Sequence, residues 1–449
     1  MRLLRRQNDF VNNCDSALNA LTAPRMRRLA AAGLIIVARA MGSQAGLAGF
    51  LRAARPPHQT TPAAAAAAPL TVVLGNEAAD ADSIVSALCL AYLRSSKESV
   101  EGFVPVVSVS RSELALRRET ELLLKEVNLE LSDLICLDEI ASSSVASIIL
   151  VDHNTMSAKA ASQLPASASV VEIYDHHVDA QKHLHISPSK RQIAFDAEKK
   201  VATVGSTCTL VAELFLASSG ANSKEQQLDS TVSTLLLGVI ALDTANGDPA
   251  VGKACPRDLE AMTTLEARRA GLGRDALFEK LKSAKMDVSF WRGLTVEQCL
   301  LLDYKQQPIP TFCHGPEVGV ASVLLPVMEM LGKPDFASGF SRYMVQCDLD
   351  MLGVMSFVME PVPQRELLLV TRSAPRLEQA SAFFLNDATL ALSELAVDSR
   401  AAEAMLGLGL HVRAFAQGNV KASRKQVLPL VSGFYESIAD TLVAEDRER

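Results

Sequence analysis

Short acidic and histidine motifs, each at the end of an apolar run, mark the part of this chain that could carry chemistry. There are five between residues 76 and 243: Asn76-Glu-Ala-Ala-Asp80-Ala-Asp82-Ser83, Val151-Asp152-His153-Asn154, Tyr174-Asp175-His176-His177, Gly205-Ser-Thr-Cys-Thr209 and Ala241-Leu-Asp243-Thr244. Hard divalent cations bind oxygen and nitrogen ligands that converge on one point. Carboxylates and imidazoles placed where buried strands would emerge therefore predict a metal centre.

The first motif has a spacing that suits two cations. A tight turn after a strand could aim Asp80 and Asp82, which are separated by one small residue, at neighbouring ions. A helix that begins near Ser83 would add the positive end of its dipole, which favours phosphate oxygens. The alternative is that Asp-x-Asp-Ser is simply an N-cap sequence.

The other motifs supply the remaining ligands. Asp152 follows an apolar strand, where a carboxylate is costly unless it is paired or metal-bound, so we expect it to bridge both ions. Adjacent histidines diverge after a strand, so one of His176 and His177 could bind metal while the other orients or protonates a phosphate oxygen. Asp243 would complete a shell of four carboxylates and one imidazole. His153 reads more simply as a structural hydrogen-bonding residue.

The elements that must position these motifs alternate between strand and helix. The predicted strands are Leu70–Leu74, Val104–Val109, Ala146–Val151 and Ser169–Tyr174, and the predicted helices are Ser83–Leu93, Arg117–Val127, Thr207–Leu216 and Thr231–Ile240. Repeated strand–helix units indicate a parallel sheet, and ligands gather beyond the carboxyl ends of such strands. The N-terminal part is therefore expected to be an α/β domain with its site at that edge.

Composition narrows the class of protein. A chain of 449 residues, 49% hydrophobic and 21% charged, can form two domains with their own cores. Its formal net charge of −7 argues against a nucleic-acid-coating or membrane-surface role, because both need a dominant basic face. Eight scattered cysteines with no C-x-x-C pair argue against a zinc site or a disulfide framework.

The first 68 residues differ from the rest. Arginines alternate with alanine and leucine and acidic residues are few, as in an organelle transit peptide, while Thr60–Pro69 reads as a linker. The alternative is a disordered extension or insertion in a cytoplasmic protein. The compartment is therefore expected to be the cytoplasm, or the mitochondrion or another organelle if the segment is a transit peptide.

The ordered motifs resemble those of the DHH phosphoesterase superfamily. Residues 70–310 are most similar to its prune and exopolyphosphatase branch, which is related to family II inorganic pyrophosphatases. The sequence motifs that support this similarity are Val73-Leu-Gly-Asn-Glu-Ala78, Arg111-Ser-Glu-Leu114, Leu294-Thr-Val-Glu-Gln298, Gln417-Gly-Asn419 and Ser423-Arg424-Lys425. The last two are similar to the end of the family's second domain.

The resemblance implies a site with two divalent cations, Mg²⁺ or Mn²⁺, and a bridging water as nucleophile. It assigns one cation to Asn76, Asp80 and Asp152, the second to Asp82, Asp152, His176 and Asp243, and the substrate to His177, Ser423, Arg424 and Lys425. Of these, Asp152 and His177 are the expected catalytic residues. The pyrophosphatase branch has histidine where this chain has Asn76. Because asparagine offers a neutral oxygen ligand, this difference favours Mg²⁺ as the metal and membership of the exopolyphosphatase branch.

The resemblance also implies the domain organisation. We expect an N-terminal extension at 1–68, a DHH catalytic domain at 69–265, a linker at 266–280 and a smaller C-terminal α/β DHH-associated domain at 281–445, with the active site in the cleft between the two. The C-terminal pattern predicts strands at Val318–Leu325, Leu352–Met359 and Leu367–Thr371, and helices at Ala380–Leu385, Thr389–Ala396 and Gln426–Tyr435.

The function implied is release of phosphate from short-chain polyphosphate or a similar phosphoanhydride. Alternatives within the superfamily are cyclic-nucleotide phosphodiesterase, inorganic pyrophosphatase or nuclease activity. Nuclease activity is disfavoured by the net negative charge of the chain and by the motif Ser423-Arg424-Lys425, which fits the other type of C-terminal domain. An alternative from another class is a binding or scaffold protein that acts through protein partners, since a fold does not guarantee an activity.

Overall fold

The computed structural model describes residues 46–55, 69–97, 102–140, 145–218, 229–309, 317–359, 361–440 and 442. The chain divides into two compact units, one ending at Lys282 and one beginning at Ser283. The predicted limits of the domains remain predictions. Among the described residues, no helix combines the length and the apolar character that crossing a bilayer requires.

The N-terminal unit is built on a five-stranded sheet. Its strands are β1 (Leu70–Leu74), β2 (Gly102–Val106), β3 (Val145–Val151), β4 (Ser169–Asp175) and β5 (Arg191–Ile193). They run parallel in the order β2-β1-β3-β4-β5, which confirms the predicted parallel sheet. A short hairpin pairs β6 (Phe195–Asp196) with β7 (Val201–Ala202).

The helices of this unit bury the sheet. They are Gly46–Ala54, Ala81–Lys97, Arg111–Leu114, Arg118–Lys125, Ala158–Gln163, Thr207–Ser218, Ser230–Asp243, Pro256–Glu266 and Arg274–Lys285. Helix Ser230–Asp243 begins where the Asp229 side chain accepts the Val232 N–H at 2.8 Å, and it is apolar on all sides because it runs through the core.

Helix Gly46–Ala54 corrects part of the expectation for residues 1–68. Leu47, Phe50, Leu51 and Ala54 belong to the same buried core as the parallel sheet, and the Phe50 ring packs against Tyr92 at 5.6 Å. This segment is therefore part of the folded unit and not a disordered extension. Residues 1–45 and 56–68 lie outside the described residues.

The C-terminal unit contains a mixed six-stranded sheet. Its strands are β8 (Tyr304–Pro308), β9 (Glu317–Val323), β10 (Leu349–Val358), β11 (Gln364–Thr371), β12 (Leu392–Leu395) and β13 (His411–Gln417). Their order is β12-β13-β11-β10-β9-β8, and only the β9–β10 pair is parallel. The helices are Val288–Gly293, Val296–Leu302, Val327–Leu331, Phe336–Gln346, Ala374–Asn386, Ser399–Leu406 and Arg424–Ser437.

Helices cover both faces of this sheet. On β10, Leu352 and Val354 belong to one hydrophobic cluster, whereas Met351 and Met355 belong to another. This alternation is the period of a strand that is buried on both faces. The unit is therefore an α/β domain, as predicted, and it has a hydrophobic core on each face of its sheet.

Two local predictions are wrong. Thr389–Ala396 was expected to be helical, but residues 392–395 form β12 and pair with β13. The segment 266–280 was expected to be a linker, but Arg274–Lys285 is a helix, and its residues Leu277 and Leu281 are buried in the N-terminal core.

Candidate metal centre

The carboxyl ends of β1, β3 and β4 bring three of the motifs together. Asn76 lies two residues after β1, Asp152 follows β3 directly, and Asp175 is the last residue of β4. Because β1, β3 and β4 are neighbours in a parallel sheet, their polar ends meet at one edge. This edge was predicted from the sequence.

Asp152 lies at the centre of this edge and is 1% exposed. Its Oδ2 accepts hydrogen bonds from Asn76 Nδ2 at 2.7 Å and Ser83 Oγ at 2.8 Å, and its Oδ1 accepts one from Thr207 Oγ1 at 3.3 Å. The carboxylate therefore has a fixed orientation.

Asp82 is held at the N-terminus of helix Thr207–Ser218. Its Oδ1 accepts the Ser206 hydroxyl at 2.8 Å and the Cys208 N–H at 2.9 Å, and its Oδ2 accepts the Thr207 N–H at 2.7 Å. A carboxylate is stabilised there by unpaired N–H groups and by the positive end of the helix dipole.

The turn that leads into this helix needs Gly205. A Cβ atom at position 205 would lie 2.6 Å from Thr244 Cγ2 and 2.9 Å from the Lys253 carbonyl oxygen. Gly205 therefore allows the turn to pass close to the residue that follows Asp243.

His176 presents one ring nitrogen to both carboxylates. Its Nδ1 lies 3.2 Å from the Val204 carbonyl, which can only accept, so this geometry assigns the proton to Nδ1. Its Nε2 then carries a lone pair, 3.4 Å from Asp152 Oδ1 and 3.9 Å from Asp82 Oδ2. Donors bound about 2.1 Å from one cation lie roughly 3–3.5 Å apart, so this spacing is close to that of a ligand set.

His177 points its Nδ1 at a different carboxylate. That atom lies 2.8 Å from Asp175 Oδ1, and Asp175 also accepts Asn154 Nδ2 at 2.6 Å and the His176 N–H at 2.8 Å. Burial opposes ionisation of Asp175, but these hydrogen bonds and the charge of His177 hold its pKa well below the usual value. Asp175 therefore orients the His177 ring.

The electrostatics of the edge favour a divalent cation. Burial, followed by repulsion from Asp82 and Asp80, raises the pKa of Asp152 to about 7. A bound cation would remove that repulsion and compensate for the loss of hydration. Within the described part of the chain, the ligand atoms of Asp152, His176 and His177 all lie within 4.8 Å of one another. Asp152 and His176, together with the nearby carboxylate of Asp82, fit a metal ion, whereas the Nδ1 of His177 is already bound to Asp175.

Asn76 lies at this edge, and its role as a metal ligand remains a prediction. Its carbonyl oxygen, the atom that would bind a cation, accepts the N–H groups of Ala78 at 2.9 Å and Ala79 at 3.2 Å. These two donors fix the orientation of the amide, so Nδ2 is the atom that faces Asp152. Asn76 therefore acts here as a hydrogen-bond donor to a candidate ligand.

Asp80 and Asp243 are less closely associated with this set. Asp80 Oδ1 accepts the Ser83 N–H at 3.0 Å at the start of helix Ala81–Lys97, which is the N-cap alternative considered above. Asp243 is the last residue of helix Ser230–Asp243 and is partly buried. Their roles as ligands remain predictions.

The C-terminal unit positions the predicted substrate residues at the start of helix Arg424–Ser437. Ser423 is the N-cap residue, and Lys425 is exposed. The Arg424 guanidinium binds Asp303, with Nη2 2.7 Å from Oδ1 and Nη1 2.8 Å from the main-chain oxygen. The nearby charges of Arg424 and Lys285 lower the pKa of Asp303, whose side chain is half-exposed.

Sequence reasoning missed the buried carboxylate of Asp258. It accepts the Gly205 N–H at 2.8 Å and the Thr209 hydroxyl at 2.6 Å, so it fixes the turn whose N–H groups hold Asp82. Asp258 lies in the first turn of helix Pro256–Glu266, where an acidic residue reads as an ordinary cap. Nothing in the local sequence signals its long-range contacts.

Comparisons with known proteins identify the families of the two domains. The model of the DHH family N-terminal domain matches residues 70–240, and the DHHA2 domain model matches residues 279–434. Exopolyphosphatase PRUNE1 of Rattus norvegicus is 33% identical over 386 residues, which span 83% of this chain and 77% of that protein. PRUNE1 of Homo sapiens is also 33% identical, over 394 residues with the same two coverages, 83% and 77%.

A more distant relative and a solved structure extend the comparison. A candidate exopolyphosphatase of Schizosaccharomyces pombe is 29% identical over 381 residues, which span 82% of this chain and 91% of that protein. A candidate family II inorganic pyrophosphatase of Methanococcus jannaschii has a similar structure, with a TM-score of 0.54 and 21% identity over 82% of this chain and 100% of that chain. At that identity the likeness concerns the fold.

Proposed function

This chain belongs to the prune branch of the DHH phosphoesterase superfamily, and we propose that it is a metal-dependent exopolyphosphatase that releases phosphate from short-chain polyphosphate. The observation that carries the proposal is the approach of His176 Nε2 to Asp152 Oδ1 at 3.4 Å and Asp82 Oδ2 at 3.9 Å. The names of the relatives point to the same activity.

One divalent cation would be held by Asp82, Asp152, His176 and Asp243. A second would be held by Asp80 and by Asp152, which would bridge the two. Such cations lower the pKa of water and neutralise charge that develops on the attacked phosphoryl group. The protein's own contribution is rigidity: Asp82 is fixed by a helix N-terminus, and Asp152 by Asn76 and Ser83. We propose Mg²⁺ or Mn²⁺ as the resident ion.

His177 would act on the substrate and not on the metal. Asp175 accepts a hydrogen bond from its Nδ1, so the ring is oriented and its Nε2 lies on the opposite side. A histidine oriented in this way by a carboxylate can donate a proton to a leaving phosphate oxygen. This arrangement separates the tasks of the two adjacent histidines.

Arg424 and Lys425 would supply the positive charge that a chain of phosphates needs. A guanidinium can bind phosphate oxygens through two parallel hydrogen bonds, whereas an ammonium group acts as a point charge. Lys285 and Lys305 lie close enough to lower the pKa of Asp303, as Arg424 does, so this region of the C-terminal unit is basic. Asp303 would hold Arg424 in place until substrate binds.

The test is phosphate release from tripolyphosphate, tetrapolyphosphate, pyrophosphate and a cyclic nucleotide, with and without chelator. We expect metal-dependent release from the polyphosphates, lowered more than about 100-fold in Asp152→Asn. Asp138→Asn, at an exposed position in the same unit, is the matched control. A folded, metal-loaded protein that hydrolyses none of these four substrates would support the scaffold alternative instead.

A further inference from the structure

A buried arginine outside the five motifs contacts the loop that carries the first of them. Arg117 is 1% exposed and immediately precedes helix Arg118–Lys125. Its Nε donates to the Ala79 carbonyl oxygen at 3.0 Å, and its Nη2 donates to the Ala78 carbonyl oxygen. One planar side chain thus binds two successive peptide groups of the loop between β1 and helix Ala81–Lys97.

The same loop is held on its other side by Asn76. The peptide group that joins Ala78 to Ala79 has its oxygen bound by Arg117 and its N–H bound by Asn76 Oδ1 at 3.2 Å. Through its Nδ2, Asn76 then donates to Asp152 Oδ2 at 2.7 Å. A continuous chain of hydrogen bonds therefore runs from Arg117 through one peptide group and Asn76 to the central carboxylate.

The backbone of this loop requires such support. Ala79 has φ of +46°, a left-handed conformation that is uncommon for a residue with a side chain and is not specially favoured by alanine. Conformations of this kind persist where surrounding contacts determine them. Arg117 provides two of those contacts, at the carbonyl oxygens of Ala78 and Ala79.

We propose that Arg117 is a positioning residue: it fixes the loop from Asn76 to Asp80 so that Asn76 holds the Asp152 carboxylate in its metal-binding orientation. The inference rests on the proposed metal-dependent function. An arginine suits this task because its rigid fork can reach two carbonyl groups at once, whereas a lysine presents one compact charge. Arg117→Lys should therefore keep the charge and lose the geometry.

The experiment measures Mn²⁺ affinity by titration calorimetry and the Mn²⁺ concentration that gives half-maximal phosphate release from tripolyphosphate. Arg117→Lys is compared with the wild type and with Arg111→Lys. Arg111 also binds two backbone carbonyls, those of Leu131 and Leu134 at 2.7 Å each, but in a segment that leads to no candidate ligand. The thermal midpoint in excess chelator reports the stability of each fold without metal.

We expect Arg117→Lys to weaken Mn²⁺ binding and raise the half-maximal concentration by about 10- to 100-fold, while Arg111→Lys leaves both unchanged. A merely structural role would lower the midpoint in chelator and leave the affinity of the folded protein unchanged, which would contradict the proposal. An Arg117→Lys protein that does not fold would contradict it too, since the contacts would then serve the fold. Absence of Mn²⁺ binding by the wild type would contradict the proposed function itself and, with it, the role of Arg117.

Discussion

Asp152 is constrained through its backbone as well as its side chain. Its φ is +62°, and its N–H donates to the Tyr174 carbonyl at 2.9 Å across the neighbouring strand. A non-glycine residue held in this region costs on the order of 1–3 kcal/mol, and such residues cluster at functional sites. The structure therefore keeps the carboxylate oriented before a ligand arrives, which is how a protein prepares a metal site.

His177→Gln separates the roles of the two adjacent histidines. We expect kcat to fall by about 100-fold or more, because the variant loses an oriented proton donor, while metal affinity is unchanged. Steady-state phosphate release and calorimetric metal titration measure the two effects, and His185→Gln, at an exposed position, is the control. A loss of metal affinity in His177→Gln would show that His177 is itself a ligand.

Arg424→Ala tests the substrate residues of the C-terminal unit. Removing charge-assisted hydrogen bonds to phosphate should raise KM or lower kcat by about 10- to 100-fold, with metal content unchanged. Kinetics on tripolyphosphate together with metal analysis of the purified protein provide the measurement. Arg413→Ala is the matched control, because Arg413 pairs only at the surface, with Glu378 and Glu394. If the Arg424→Ala protein is purified without metal, Arg424 does not have the substrate-binding role proposed here.

At the scale of elements, the sequence predicts the strands and helices whose formation depends on the local pattern of apolar and polar residues. Strands β1, β3 and β4 are apolar runs that end in a polar motif, so their positions and the parallel sheet follow from periodicity. The position of strand β12 does not follow from periodicity, because this strand forms by pairing with β13, a partner supplied by the tertiary fold.

Contacts between distant residues are the part of the site that pattern reading cannot supply. The amide of Asn76 is oriented by Ala78 and Ala79, and Arg424 is bound to Asp303, 121 positions away. Residue type alone suggested that Asn76 is a metal ligand and that Arg424 is a phosphate-binding group. Only the fold reveals which atoms already have partners.

Helix Gly46–Ala54 gives a prediction about stability. Leu51 is 1% exposed in the N-terminal core, so Leu51→Ala should lower the free energy of unfolding by about 2–5 kcal/mol. The control is Arg52→Ala on the exposed side of the same helix. Denaturant unfolding followed by circular dichroism measures the difference. Equal stability of the two variants would mean that the helix does not pack on the core in solution.

At the scale of the whole molecule, the candidate ligands and the single tryptophan belong to different units. Asp82, Asp152 and His176 lie in the unit that ends at Lys282, whereas Trp291 is buried in a core of the unit that begins at Ser283. The sequence contains one tryptophan, so its fluorescence reports the C-terminal unit alone.

This division predicts the effect of metal removal. A ligand present at 100 times its Kd stabilises the state that binds it by about 2.7 kcal/mol. We therefore expect chelator to lower the thermal midpoint seen by far-ultraviolet circular dichroism more than the midpoint seen by Trp291 fluorescence. Adding excess Mg²⁺ should restore the midpoint seen by circular dichroism to its original value. Equal shifts with both probes would contradict a metal site confined to the N-terminal unit.

The most direct test of the central claim is anomalous diffraction from crystals grown with Mn²⁺. We expect an anomalous peak at bonding distance, about 2.0–2.3 Å, from Asp82 Oδ2, Asp152 Oδ1 and His176 Nε2. A strong peak bound elsewhere, with these three side chains making no contact with it, would contradict the account.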